Sequence, residues 1–234
     1  MTQPYIFAVI PARGDSKGLI QKNTRLLGGL PLIAHTLRAA QTSRLLTRAI
    51  VSTDDLRITA VAREHGGEVP FRRPEHLATD TASTLSVVLH ALGWLETAEK
   101  ILPDIVVLLQ PTAPLRTAED IDAALTLLLE NKVDSVVSFS PPLADNPYYA
   151  YASVRGEFVP LKLVVPGTRR QDLPEPVMRN GAIYAIRRDA LISTNNFYGR
   201  KMLPYFMPPE RGINIDNDLT LALAEFLLGR AAQA

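Results

Sequence analysis

Short apolar runs alternate with amphipathic stretches through the first 140 residues. Tyr5–Ile10 carries no charged position, which predicts a strand buried on both faces. Leu32, Ile33, Leu37 and Ala40 then recur at helical spacing, and Ala49–Ser52 reads as a second strand. Ile58, Val61 and Ala62 mark a helix that stops at Gly66-Gly67, as glycine past a helix end allows. Val69–Phe71 reads as a short third strand. Thr84–Lys100 is helical, with Val88, Leu92 and Leu95 on one face, and Ile105–Leu109 is the most apolar strand of all. Thr117 stands where a helix cap belongs, with Asp120 three residues on, the spacing of a capping box. Val133–Phe139 is a further strand.

This alternation predicts an α/β fold, a mostly parallel sheet with helices on both faces. Ligands of such sheets sit at the carboxyl ends of the strands. The rhythm breaks at Pro141-Pro142. Residues 141–178 hold Tyr148, Tyr149 and Tyr151, several prolines and the pair Arg169-Arg170, with no helical period. They read as an insertion that leaves the sheet, a β-arm. Gly181–Ile186 returns to a buried strand, and Asp218–Arg230 forms a closing amphipathic helix.

Composition narrows the chemistry. The 25 basic and 24 acidic side chains nearly cancel, so no global field draws in nucleic acid and any anion site must be local. No cysteine is present, which excludes disulfides, thiolate metal sites and a Cys nucleophile. The four histidines have neither metal-ligand spacing nor a Ser or Asp partner for a hydrolase triad. The first residues have no basic, apolar leader pattern, and no apolar run is long enough for a membrane span. A cytoplasmic protein without membrane contact is the expectation.

Four loops carry candidate chemistry. The first, Pro11–Asn23, follows the first strand and holds Arg13, Lys17 and Lys22, with Gly14 and Gly18 allowing close backbone approach. Three cations and free N–H groups in one loop make an anion cradle. It matches neither the Walker loop nor the dinucleotide fingerprint. The second, Arg72–Thr84, is rich in hydroxyls, and Thr81, Ser83 or Thr84 caps the helix that follows. The third, Leu109–Arg116, places Gln110 at a strand end, with Arg116 either a surface charge or a contact at the helix start. In the fourth, Asn214, Asp216 and Asp218 alternate before the last helix. Their oxygens suit a hard cation such as Mg²⁺, while Asn217 or Asp218 serves as a cap.

The segments IPARGDSKGLIQKN, STDD, RRPEHLATDTAST, LLQPTAPLR, RRQDLP, RNGAIYAI and MPPERGINIDND, in this order, resemble the blocks of the acylneuraminate cytidylyltransferase family, the CMP-sialic acid synthetases. The resemblance runs nearly end to end. It implies one cytidylyltransferase domain over 1–234, with a Rossmann-like sheet of the nucleotide-diphospho-sugar transferase type. Residues 141–178 would be an arm inserted for dimerisation. It implies Mg²⁺-dependent transfer from CTP to a nine-carbon 2-keto-3-deoxy sugar acid, by a homodimer. Residue by residue, it puts Ala12, Arg13, Lys17, Lys22 and Asn23 on CTP, with Arg73, Ala82, Ser83 and Thr84 around cytosine and ribose. Gln110, Arg170, Tyr184, Phe197 and Tyr198 would face the sugar acid, Arg170 from the other subunit. Arg13, Lys22 and Asp216 would carry the catalysis.

One departure stands out. The family pattern near the end is Asp-Ile-Asp, and here it reads Asn214-Ile215-Asp216. The metal ligands implied are then Asp216 and a neutral Asn214 oxygen, with Asp218 as the alternative. Rival readings are a cytidylyltransferase for legionaminic acid or for the eight-carbon acid Kdo, and a non-catalytic binding homologue that has lost its metal.

Overall fold

The computed structural model describes residues 3–15, 19–143, 146–161 and 168–231. In chain order these form β1 (Ile6–Pro11), the small hairpin β2 (Leu26–Leu27) and β3 (Leu30–Pro31), α1 (Leu32–Thr42), β4 (Arg48–Ser52), α2 (Leu56–Glu64), α3 (Thr84–Ala98), β5 (Ile105–Leu108), α4 (Ala118–Glu130) and β6 (Ser135–Ser140). The arm hairpin β7 (Tyr151–Val154) and β8 (Glu157–Pro160) follows, then β9 (Met178–Arg187), α5 (Arg188–Thr194), β10 (Met202–Phe206) and α6 (Asp218–Ala231).

Six strands make one sheet in the order β10-β6-β9-β5-β1-β4. β9 alone runs antiparallel to its neighbours β5 and β6, and the other pairs are parallel. The uncharged first strand explains the layering. Ile6, Ala8 and Ile10 pack with Ile33, Leu37, Ala62 and Leu125 of α1, α2 and α4. Phe7 and Val9 face the other way, onto Val88, Leu92 and Leu95 of α3. Each fully buried Ile, Leu, Val or Phe side chain among them contributes roughly 1.5–3 kcal/mol relative to exposure.

Local signals act as their chemistry dictates. Thr117 and Asp120 form the full capping box of α4. Ser83 caps α3, accepting from the Ser86 N–H at 3.0 Å. Asn217 accepts from the Thr220 N–H at 2.9 Å at the start of α6. Gly66, at φ +73°, ends α2.

Some expectations need correction. Val69–Phe71 is no strand: two isolated bridges, Ile50 to Glu68 and Thr53 to Arg72, flank it, because Pro70 has no N–H to continue the ladder. β10 goes unforeseen, since Pro204 interrupts its pattern and it lies at the sheet edge, where a missing donor costs little. β9 is longer than the apolar run suggests, and its direction has no local sequence signal. Near its start the register against β6 shifts between Val137 and Phe139. Asn180 fills the irregularity, with its side-chain oxygen accepting from the Ser138 hydroxyl at 2.6 Å and the Ala182 N–H at 3.1 Å. Gly181 takes φ +76° there, and a Cβ would lie 2.6 Å from the Gln110 side-chain oxygen, so only glycine fits without strain.

Candidate active site

β1, β4 and β5 are parallel neighbours ending at Pro11, Ser52 and Leu108. The loops after them therefore open on one edge of the sheet. There they enclose a cleft of about 490 Å³ lined by Arg13, Lys22, Asn23, Arg73, Gln110 and Asp216, with Ala82 and Thr84 at the start of α3. Four separate loops of the sequence meet at this point.

Each side chain has a physical reason for its place. Asn23 is buried and its Nδ2 donates to the Arg13 carbonyl at 3.0 Å, folding the first loop back on itself. Lys22 Nζ donates to the Ile215 carbonyl at 3.1 Å and to Asp216 Oδ1 at 3.0 Å. It thereby ties the first loop to the fourth across 194 residues. Arg13 pairs with Asp80 at 2.8 Å and donates to the Thr79 carbonyl at 3.3 Å. Arg73 is 4% exposed and donates to the Ser52 hydroxyl at 3.1 Å and to the Ser52 carbonyl. Burial pushes its guanidinium down to about 10; Asp54 opposes that shift and Arg13 adds to it. At neutral pH it remains a cation inside the cleft wall. Among the described residues, three cations thus face two carboxylates, Asp80 and Asp216.

The other predicted positions lie around this centre. Ala12 is buried beneath it, donating its N–H to the Ser52 carbonyl at 3.0 Å. Ser83 is the α3 cap, beside the lining Ala82 and Thr84. Lys17 lies outside the described residues. Tyr184 and Phe197 pack against each other, ring centroids 5.7 Å apart, and the Arg179 guanidinium lies 5.1 Å from the Tyr198 ring centroid. Tyr184 lies on β9 and Phe197 and Tyr198 follow α5, and none of the three lines the cleft. Arg170 starts a turn, Arg170–Asp172, in the arm, apart from the cleft of its own chain.

Sequence reasoning missed two features. Asp80 has no local signal within the hydroxyl-rich second loop, yet it pairs with Arg13. Arg116 is neither a surface charge nor a simple helix-start contact. It is 3% exposed and donates to the carbonyls of Gln110 and Ala182 at 3.2 and 2.7 Å and to the Thr36 hydroxyl at 2.5 Å. It braces the end of β5 against β9 directly behind Gln110. Nothing in the local pattern distinguishes such an arginine from a solvated one.

The donor set toward a cation is also visible. Asn214 Oδ1 is buried and has no hydrogen-bond partner among the described residues. Asp216, two residues on, carries the charge. An orphaned amide oxygen and a nearby carboxylate fit a hard, oxygen-seeking cation. Among the described residues, no group of three or more His, Cys, Asp or Glu side chains could hold a metal alone.

A family profile described as cytidylyltransferase matches residues 7–207. The chain belongs to the cytidylyltransferase family. This cytidylyltransferase is 38% identical to the CMP-N,N'-diacetyllegionaminic acid synthase of Legionella pneumophila over 95% of its own length and 96% of that protein's. It is 34% identical to an Escherichia coli N-acylneuraminate cytidylyltransferase over 94% of its length, which spans 51% of that larger protein. Among solved structures, CMP-2-keto-3-deoxy-manno-octonic acid synthetase complexed with CTP superposes with a TM-score of 0.70 over 97% of this chain and 99% of that one. At 18% identity that likeness concerns the fold. The sheet is thus of the Rossmann-like nucleotidyltransferase type, and the enzyme is a CTP-dependent cytidylyltransferase of CMP-sugar synthesis. Among the described residues, no helix is long and apolar enough to cross a membrane.

Proposed function

We propose that this cytidylyltransferase activates a nine-carbon 2-keto-3-deoxy sugar acid, of the N-acylneuraminate or legionaminic type, with CTP. The convergence of Arg13, Lys22, Arg73 and Asp216 on one cleft carries the reading. The anomeric hydroxyl of the acid attacks the α-phosphorus of CTP. A P–O bond forms to the sugar, the bond to the bridging oxygen breaks, and pyrophosphate departs with that electron pair. The hydroxyl proton passes to a base, for which Asp216 is our assignment.

Such a transfer needs positioning and charge neutralisation, not a covalent nucleophile. Arg13, released from Asp80, and Lys22 offset the charge that gathers on the departing phosphates. Asn23 keeps the loop folded beneath them. Arg73, anchored to Ser52, and Ala82, Ser83 and Thr84 at the start of α3 cradle the nucleoside. Gln110 meets the sugar acid at the end of β5. Tyr184 on β9 and Phe197 and Tyr198 after α5 form an aromatic wall, and Arg170 completes the site from the partner subunit of a homodimer. A divalent cation, Mg²⁺ in our reading, would be held by Asp216 and Asn214 and would supply charge neutralisation on the triphosphate. With so few protein ligands, the rest of its shell would come from CTP and water. We place the enzyme in the cytoplasm, as one catalytic domain with 141–178 as its dimerisation arm.

Pyrophosphate release from CTP and Mg²⁺ with a panel of acids tests this. Turnover is expected with N-acetylneuraminate or diacetyllegionaminate and poor turnover with the eight-carbon acid. A preference for the eight-carbon acid would overturn the nine-carbon reading. No release with any acid would point to a binding protein.

A further inference from the structure

The segment from Arg211 to Asn217 carries the proposed cation ligands yet belongs to no helix or strand. Asp216 makes one side-chain contact among the described residues, to Lys22, and its side chain is 65% exposed. The direction of its carboxylate is therefore set by how the backbone is held. Downstream, Ile213 and Ile215 are buried among Leu19, Leu27, Leu32 and Leu221, and the Ile215 N–H donates to the Thr112 carbonyl at 2.7 Å. Upstream, the anchor is a fork. Arg211 Nε reaches Asp120 Oδ2 at 3.0 Å and Nη2 reaches Oδ1 at 2.8 Å.

Asp120 is more than the cap residue that the sequence suggests. It is 1% exposed, and a capping box uses only one of its oxygens, which accepts from the Thr117 N–H at 3.0 Å. Its other oxygen accepts from the Tyr205 hydroxyl of β10 at 2.8 Å and from Arg211. One buried carboxylate thus joins the start of α4, the edge strand and the loop that leads to Asp216. A two-point guanidinium–carboxylate contact fixes direction as well as distance.

We propose that Asp120 and Arg211 are positioning residues for the reaction: their pair holds the 211–217 segment so that Asp216 and the Ile215 carbonyl meet Lys22. This rests on the role given to Asp216 above. Neither residue lines the cleft, so both act through the backbone.

The test compares Arg211→Met, Arg211→Lys and Asp120→Asn with two references, Asp216→Asn and Asp122→Asn. Asp122 lies on the same helix and holds the Ser43 hydroxyl and the Arg44 N–H, remote from the 211–217 segment. Arg211→Met and Asp120→Asn are expected to lower kcat roughly tenfold, the scale of a small misplacement, and to raise the half-saturating Mg²⁺ concentration. The KM for CTP at saturating Mg²⁺ stays within about twofold of wild type, because Arg13 and Arg73 are untouched. The double variant should be no worse than the poorer single one, as expected of one unit. Arg211→Lys keeps one contact and recovers part of the loss. In a thermal-shift measurement, the extra rise in Tm that Mg²⁺ adds to CTP shrinks in the Arg211 and Asp120 variants alone among the non-ligand changes. Asp122→Asn lowers Tm and leaves kcat and the Mg²⁺ response intact. If Arg211→Met and Asp120→Asn behave like Asp122→Asn while Asp216→Asn is inactive, the positioning role is wrong and the site reading stands. Full turnover by Asp216→Asn would overturn both.

Discussion

Lys22 is the residue on which the site turns. It is 14% exposed, and its ammonium holds a backbone carbonyl and a carboxylate from the far end of the chain. Lys22→Ala removes a charge from the triphosphate and a tether from the 211–217 segment. Arg13→Ala removes a charge and the contacts to Asp80 and the Thr79 carbonyl, and leaves the 211–217 segment tethered. Each change should lower kcat/KM roughly 100-fold or more, the cost of losing one preorganised electrostatic group. Circular dichroism should show both variants folded, and near-wild-type turnover by either would remove that side chain from the mechanism. Asn214 makes a second prediction. Its buried oxygen, unpartnered among the described residues, stands where the family resemblance implies a carboxylate. Asn214→Asp adds a negative charge toward the cation and should lower the Mg²⁺ concentration for half-maximal rate at saturating CTP. An unchanged Mg²⁺ curve would exclude Asn214 from the cation shell.

Among the elements, the arm is least able to stand alone. β7 and β8 form a tight hairpin whose Arg155-Gly156 turn takes φ of +52° and +87°, values suited to a two-residue hairpin turn. The hairpin buries little of itself: Phe158 is 76% exposed, Tyr151 60% and Val159 46%. An isolated two-stranded hairpin is marginal in water. β6 ends and β9 begins at the same sheet edge as the cleft, so the arm leaves and returns beside the active site. We expect a two-fold dimer that covers this apolar face, to be checked by light scattering at micromolar concentration. Phe158→Asp should shift the population toward monomer and lower activity together with it. A monomeric wild-type protein would also refute the placement of Arg170 in trans.

At the scale of the whole molecule, the buried Asp120 and the half-buried Asp122 tie α4 to distant loops. Burial pushes the Asp120 carboxyl up, but hydrogen bonds from Arg211, the Thr117 N–H and Tyr205 outweigh it and hold it below its ordinary value. Asp122 is likewise raised by burial and lowered further by Ser43 and the N–H groups of Arg44 and Leu45. A carboxylate depressed in the folded state stabilises it above the unfolded pKa, about 4 for Asp, and that contribution disappears as pH falls through the folded value. Tm should therefore hold between about pH 7 and 5 and fall below about pH 4. The double variant Asp120→Asn, Asp122→Asn should start lower and fall less steeply. An equally steep fall would assign the acid response to other carboxylates.

The local pattern alone determined the α/β class, the helix cap at Thr117, a cap for α3 among Thr81, Ser83 and Thr84, and the loops that meet at the cleft. Those features depend on periodicity, on residues a few positions apart and on the general rule that such sheets bind at strand ends. Arg13, Lys22 and Gln110 were legible for that reason, whereas Arg73 came only from the family resemblance. Tertiary structure alone decided the reversed direction of β9, the edge strand β10 and the fate of Arg116 and Asp120. Their distant partners lie 66 to 91 residues away, and a buried charge looks the same in sequence as a solvated one. Only the fold shows whether such a charge has found acceptors or lost its water.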